Sequence, residues 1–336
     1  MAIQLKPINQ QVVAVVGASS GIGRETALLF AKQGAKVTVS ARNQEGLNSL
    51  VEEIQSFGGE AIAVSGDVAD FNQVKAIADK TVDHFGRLDT WVHAAATGMF
   101  ARFQDITPEE FKRVIDVSLM GQVYGAMVAL PHLKREGRGA MIHVSSVEAH
   151  VSLPLQSPYS CSKHGTEGFL DSLRVELMHD NIPISVTNIM PSVINTPFYN
   201  KSKTKLGVKP MAVPPFYQPE LVAKAIVYTA EHPTRDMIVG DTGRILDLVH
   251  KFSPHLSDAI LNLVAVKGQH TTTTKYESDP NNLYEPIDGY NKSHGDYDQL
   301  AVPSFLEALD FNPIAKWGTI ASVGALALFA LLGTRD

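Results

Sequence analysis

The chain has 336 residues, 44% hydrophobic and 19% charged, which suits one large globular domain with extensions. A net charge of -6 excludes the basic surface that nucleic-acid binding needs. The single cysteine, Cys161, excludes an intramolecular disulfide and fits a reducing compartment.

The N-terminus lacks the separate basic, apolar and cleavage regions of a signal peptide and enters a strand within a dozen residues. Short β-branched runs predict strands at Gln11–Val16, Lys36–Ser40, Ala61–Ser65, Thr90–Ala94, Ala140–Ser145 and Ser185–Ile189. Between the second and third, Leu47, Leu50, Val51 and Ile54 fall at helical spacing and form one apolar stripe. Thr107-Pro108-Glu109-Glu110 reads as a helix start, with a Thr cap and a Glu three residues on. This alternation predicts an α/β fold, a doubly wound parallel sheet of the Rossmann kind with helices on both faces. Residues 1–250 form the expected catalytic domain. Six prolines within 191–219 and the lysines from Lys201 to Lys209 predict a mobile, solvated segment, followed by a helix Pro219–Ala230 and a strand Met237–Val239. Residues 251–267 are expected as a helical extension, and 268–312, rich in Thr, Asn, Asp, Gly and Pro, as a flexible linker. Residues 313–336 carry an uncharged stretch, Trp317–Gly333, that reaches the lower length limit of a membrane-spanning helix. Lys316 and Trp317 at its rim suit a membrane interface. The expectation is a C-terminal membrane anchor with the catalytic domain on the cytoplasmic side.

The first predicted strand runs into Gly17-Ala18-Ser19-Ser20-Gly21-Ile22-Gly23 and then a helix. Such glycines let the backbone approach a pyrophosphate, and the helix N-terminus supplies free N–H groups. The second strand ends without the carboxylate that would hold a ribose 2′-hydroxyl; Arg42 stands there instead. A cation attracts a 2′-phosphate, which favours NADP(H) over NAD(H). Tyr159 and Lys163 lie four apart, on one face of a predicted helix, and Ser146 follows the apolar strand thirteen residues before Tyr159. A lysine beside a phenol is expected to lower the phenol's pKa toward a range useful for proton transfer.

The glycine loop, Asp67-Val68, Ser146, Tyr159 and Lys163, in this order and spacing, resemble the short-chain dehydrogenase/reductases of the single-domain type over about residues 10–240. The resemblance implies that Tyr159 is the general acid/base, that Lys163 holds the nicotinamide ribose, and that Ser146 polarises the substrate oxygen. It implies that Asp67 and Val68 hold the adenine, that Ala94 borders the cofactor, and that Pro191 and Thr196 lie near the carboxamide. It further implies dimers or tetramers formed through helices at Glu109–Lys134 and Pro158–His179. The sequence departs from the family pattern at Val16, at His93-Ala94-Ala95-Ala96, at Ser192 and, in the fourth catalytic position, at Ser118, where an Asn usually anchors a water beside the lysine. The segment from Val213 to Pro233 resembles a bacterial group of the family with a long C-terminal extension.

No histidine has metal-ligand spacing, so no metal is expected; His93 and His143 read as packed strand residues and Cys161 as a packing residue. Phe198, Tyr199, Met211, Phe216 and Tyr217 point to an apolar or amphipathic alcohol or carbonyl substrate. The sequence thus predicts an NADP(H)-dependent oxidoreductase; the alternative is an NADP(H)-binding sensor or membrane scaffold with little turnover.

Overall fold

The computed structural model describes residues 3–306, so the apolar stretch at 317–333 lies outside the described residues. The elements in chain order begin with β1 (Val12–Val16), α1 (Gly21–Lys32), β2 (Lys36–Ala41), α2 (Gln44–Ser56), β3 (Glu60–Ser65), α3 (Phe71–Phe85), β4 (Thr90–His93) and β5 (Met99–Phe100). They continue with α4 (Pro108–Ile115), α5 (Gly121–Arg135), β6 (Gly139–Val144), α6 (Ser157–His179), β7 (Ile184–Pro191), α7 (Phe198–Lys201), β8 (Lys203–Thr204) and β9 (Val208–Pro210). The last are α8 (Pro219–Thr229), β10 (Asp236–Val239), α9 (Asp241–Phe252), α10 (Pro254–Gly268) and β11 (His270–Thr274).

Seven strands form one parallel sheet in the order β10-β7-β6-β4-β1-β2-β3. Side chains alternate across it as strand geometry requires. Val13 and Val15 of β1 face a core built with Phe30 of α1, Leu47, Leu50 and Ile54 of α2, and Val222 and Ile226 of α8. Ala14 and Val16 face the opposite core, with Val74 and Ile77 of α3, Leu133 of α5 and Leu170 of α6. The order reverses beside β1, between β4 and β2, and the carboxyl ends of these strands open there into a crevice.

The capping box at Thr107 is formed: its hydroxyl accepts from the Glu110 N–H while the Glu110 carboxylate accepts from the Thr107 N–H. From this cap α4 runs through a wider turn, Asp116–Met120, into α5. Pro108–Arg135 is the one helix among the described residues long and apolar enough to cross a membrane, and half of its most apolar stretch is buried in the protein.

Three expectations are corrected. The lysine-rich segment after β7 is not a solvated loop. Lys203 and Lys205 pair with the buried Glu110 at 2.7 and 2.9 Å, and Lys209 pairs with Asp296 at 2.8 Å. Nor are residues 268–306 a loose linker. β11 pairs with β9, Leu283 is buried, and the Tyr297 ring stacks on Phe216 at 4.5 Å. Their order comes from backbone hydrogen bonds and a few apolar anchors, which leave no periodicity for the sequence to display. Cys161, expected to pack, is exposed.

Candidate active site

The crevice is lined by every residue that the sequence singled out for cofactor or catalysis except Ser118. Its floor is the turn from β1 into α1. Gly17 has φ +90°, and a Cβ there would fall 2.4 Å from the Ala95 nitrogen; a Cβ on Gly23 would fall 2.2 Å from the Gly17 oxygen. No side chain fits at either position, so β1, α1 and the segment after β4 close tightly around a bare backbone loop. Ser19, Ser20, Gly21 and Ile22 face the crevice, with Arg42 from the end of β2, Asp67 and Val68 after β3, and Ala94 after β4. The Asp67 carboxylate pairs with Arg113 at 2.6 Å and lies 4.0 Å from Arg42. Loop backbone, helix N-terminus and cations make up a donor set that suits a phosphate-bearing dinucleotide.

At the other end of the crevice stand Ser146, Tyr159 and Lys163. Ser146 leaves β6 in extended conformation and its hydroxyl accepts from the Glu148 N–H. Tyr159 and Lys163 share one face of α6. The Lys163 ammonium lies 5.1 Å from the Tyr159 ring centre and donates to the Val144 carbonyl at 3.1 Å. Burial holds the Lys163 pKa down at about 7, although Glu148 pulls it upward. Burial, then Glu148 and Tyr199, raise the Tyr159 pKa well above the usual phenol value, against a lowering hydrogen bond from Ser146. The expected depression of the tyrosine by the lysine is therefore not what the structure displays: desolvation of both groups outweighs their pairing.

Ser118 is also placed differently from its expected role. It sits in the wide turn between α4 and α5, fully buried, where its hydroxyl accepts from the Thr97 N–H at 3.0 Å and donates to the Thr97 carbonyl at 2.7 Å. That hydroxyl pins the segment after β4 and does not reach the crevice.

Two ionisable residues of the crevice were not read as site residues in the sequence. Glu148 is buried, accepts from the Ser160 hydroxyl at 2.5 Å, and is pushed by burial up to about 7. Lys201, at the end of α7, reaches back to the Ser20 hydroxyl at 2.5 Å beside Arg42, and burial lowers its pKa to about 8. Nothing in local spacing marks either one; both are brought in by tertiary packing. Of the expected substrate aromatics, Phe198 and Tyr199 line the crevice, with Phe198 5.5 Å from the Tyr159 ring. Phe216 and Tyr217 are buried in the body, and Met211 packs beside Phe216.

Residues 11–207 match the sequence pattern of the short chain dehydrogenase family. The chain is 34% identical over 327 residues to an uncharacterized oxidoreductase, YxnA, of Bacillus subtilis (strain 168), covering 97% of this chain and 92% of that protein. It is 33% identical over 196 residues to 11-beta-hydroxysteroid dehydrogenase-like 3 of Arabidopsis thaliana, covering 58% of this chain and 62% of that one. Its fold is similar to that of an alcohol dehydrogenase from the archaeon Thermococcus sibiricus, solved in complex with 5-hydroxy-NADP, at 24% identity and a TM-score of 0.60 over 68% of this chain and 95% of the other. The family pattern, the near full-length relative and the parallel sheet agree: the chain belongs to the short-chain dehydrogenase/reductases and is an oxidoreductase of that family.

Proposed function

We propose that this oxidoreductase interconverts an alcohol and a carbonyl with NADP(H), using Ser146, Tyr159 and Lys163. The observation that carries the reading is the convergence of these three side chains at one end of the crevice whose other end is the bare glycine loop. When bound, the dinucleotide supplies or accepts the hydride. The protein's part is to bind, orient and move a proton. Backbone N–H groups from Ser19 to Gly23 hold the pyrophosphate, Asp67 and Val68 border the adenine, Ala94 borders the ribose side, and Pro191 and Thr196 border the nicotinamide. Arg42, joined by Lys201, supplies the positive charge that favours a 2′-phosphate. The Tyr159 hydroxyl gives its proton to the oxygen of a carbonyl under reduction, or takes the proton of an alcohol under oxidation. Ser146 holds that oxygen by a second hydrogen bond. Lys163, buried beside Tyr159, holds the ribose and favours the phenolate when charged.

Phe198, Tyr199, Leu153 and Ala212 make the wall near Tyr159 apolar, which favours an apolar or amphipathic substrate. A membrane-associated enzyme suits such substrates. In support, α9 and α10 expose Leu248, Phe252 and Leu263 at 68%, 87% and 78%. The backbone N–H groups of Phe305 and Leu306 donate to the Asp241 carboxylate at the start of α9, which fixes the last described residues to that helix. The alternative of an NADP(H)-binding sensor with little turnover has one observation in its favour, the commitment of the Ser118 hydroxyl to Thr97.

The test is oxidation of NADPH and NADH by the full chain against a panel of apolar ketones and aldehydes, with binding titrations of wild type and Arg42→Ala. Turnover of at least one carbonyl is expected, together with a loss of NADPH affinity of about tenfold or more in Arg42→Ala and little change for NADH. Firm NADPH binding without turnover of any carbonyl favours the sensor. Equal effects of Arg42→Ala on both cofactors contradict the phosphate role.

A further inference from the structure

The segment from Asn282 to Gly295 crosses the mouth of the crevice. Its two ends are fixed on one side. Before it, β11 pairs with β9, and Lys275 donates to the carbonyls of Asn200 and Ser202. After it, the Gly295 N–H donates to the Asn195 carbonyl and Tyr297 stacks on Phe216. Its middle is held on the opposite side. The Asn43 amide donates to the Ile287 carbonyl and to Asp288, and Asn291 packs so closely on α2 that a Cβ on Gly46 would lie 2.5 Å from its Oδ1. The segment is therefore a strap laid over the cleft between the β7-side loops and the glycine-loop side.

Three of its carbonyls occupy donors that a dinucleotide needs. Arg42 donates through Nη1 to the Tyr284 oxygen and through Nη2 to the Asn282 oxygen, both at 2.6 Å. The Gly21 N–H, at the N-terminus of α1, donates to the Lys292 oxygen at 3.0 Å. A backbone N–H serves one good acceptor at a time, so Gly21 is fully engaged; Arg42 spends one N–H of each terminal nitrogen on the strap, and the two carbonyls lie where phosphate oxygens would bridge the guanidinium fork. Resting on the cofactor reading above, we infer that strap 282–295 competes with the cofactor, its carbonyls holding the places of phosphate oxygens on Arg42 and Gly21 until NADP(H) displaces them.

The exchange has a direction. An anionic phosphate on Arg42 or on a helix N-terminus makes a stronger bond than a neutral carbonyl, so phosphate replaces strap and not the reverse. The cofactor bearing a 2′-phosphate competes at both places. One lacking it competes only at Gly21 and leaves the Arg42 carbonyls in place. Strap and Arg42 together then discriminate between the two cofactors.

Two measurements on the full chain test this. The first is amide hydrogen exchange with and without saturating NADPH. Faster exchange across 282–295 is expected; unchanged or slower exchange overturns the inference, because the strap would then close over the bound cofactor. The second is NADPH and NADH affinity in two loosened straps. Leu283→Ala removes a buried anchor packed beside Met99 and Val114. Asp288→Ala removes a part-buried hydrogen bond from Asn43 at an exposed residue and serves if the first variant folds poorly. Tighter NADPH binding is expected, by about twofold to tenfold for Asp288→Ala, with a smaller gain for NADH. Weaker NADPH binding in Asp288→Ala overturns the inference and makes the strap a cofactor ligand. No NADPH binding by wild type or either variant overturns the cofactor reading, and the inference with it.

Discussion

Glu148 and Lys163 are two buried, opposite charges on neighbouring elements, and each moves the other. Glu148 favours the charged lysine, while burial favours the neutral one. Glu148→Gln removes the carboxylate that raises Lys163, so the lysine pKa falls below its present value of about 7. Charged Lys163 is lost as pH rises through that value, so the high-pH limb of kcat/KM shifts to lower pH in Glu148→Gln. An unmoved profile would mean that the pair does not govern turnover. The residues legible in the sequence were those whose chemistry lies in local spacing: the glycine loop between strand and helix, Tyr159 and Lys163 one turn apart, Ser146 at a strand end. Glu148 and Lys201 were not legible, because a lone Glu after a strand and one lysine among several carry no spacing signal. Ser118 lay at the expected place in the chain, yet its hydroxyl turned to the Thr97 backbone, a choice that tertiary packing makes.

The element scale brings a second set of buried groups into play. His93 of β4 and His143 of β6 are register partners at the centre of the sheet, with rings stacked 6.3 Å apart. His143 bonds the Gln122 side chain through Nδ1, whereas neither ring nitrogen of His93 has a partner among the described residues. Burial lowers both pKa values, that of His143 to about 3. Both rings are thus neutral in the folded chain and take up protons on unfolding below about 6.5, where the unfolded state binds more protons. Stability is full above about pH 6.5; His143 alone makes it fall by about 1.4 kcal/mol per pH unit as pH drops toward 3, and His93 adds a loss of the same sign. Urea denaturation at pH 7 and pH 5 checks this: the midpoint falls in wild type and falls less in His143→Asn. A flat response would contradict it. The strands and helices that carry these groups were legible because buried parallel strands read as β-branched runs and their helices as apolar stripes. The strap was not: in 275–306 Asn, Gly, Pro and Tyr are held by carbonyls and N–H groups that any sequence possesses.

At the scale of the whole molecule, the catalytic body and the apolar face of α9 and α10 make separate demands. Cell fractionation of the full chain tests the membrane reading. The protein is expected in the pellet after carbonate and salt washing, and recovery in the supernatant would contradict it. Self-association is the second expectation, since α5 and α6, the helices to which the family resemblance assigns it, leave Met127, Val175 and Met178 exposed. A single-chain mass by light scattering at micromolar concentration would contradict that. The central claim, proton transfer by Tyr159 in a dinucleotide-dependent oxidoreductase, is tested most directly by one paired measurement on Tyr159→Phe: NADPH affinity by titration and carbonyl turnover by NADPH oxidation. The account predicts affinity within about twofold of wild type and turnover lower by about two or more orders of magnitude, because the hydroxyl proton is removed and the cradle is left intact. Full turnover in Tyr159→Phe would contradict it.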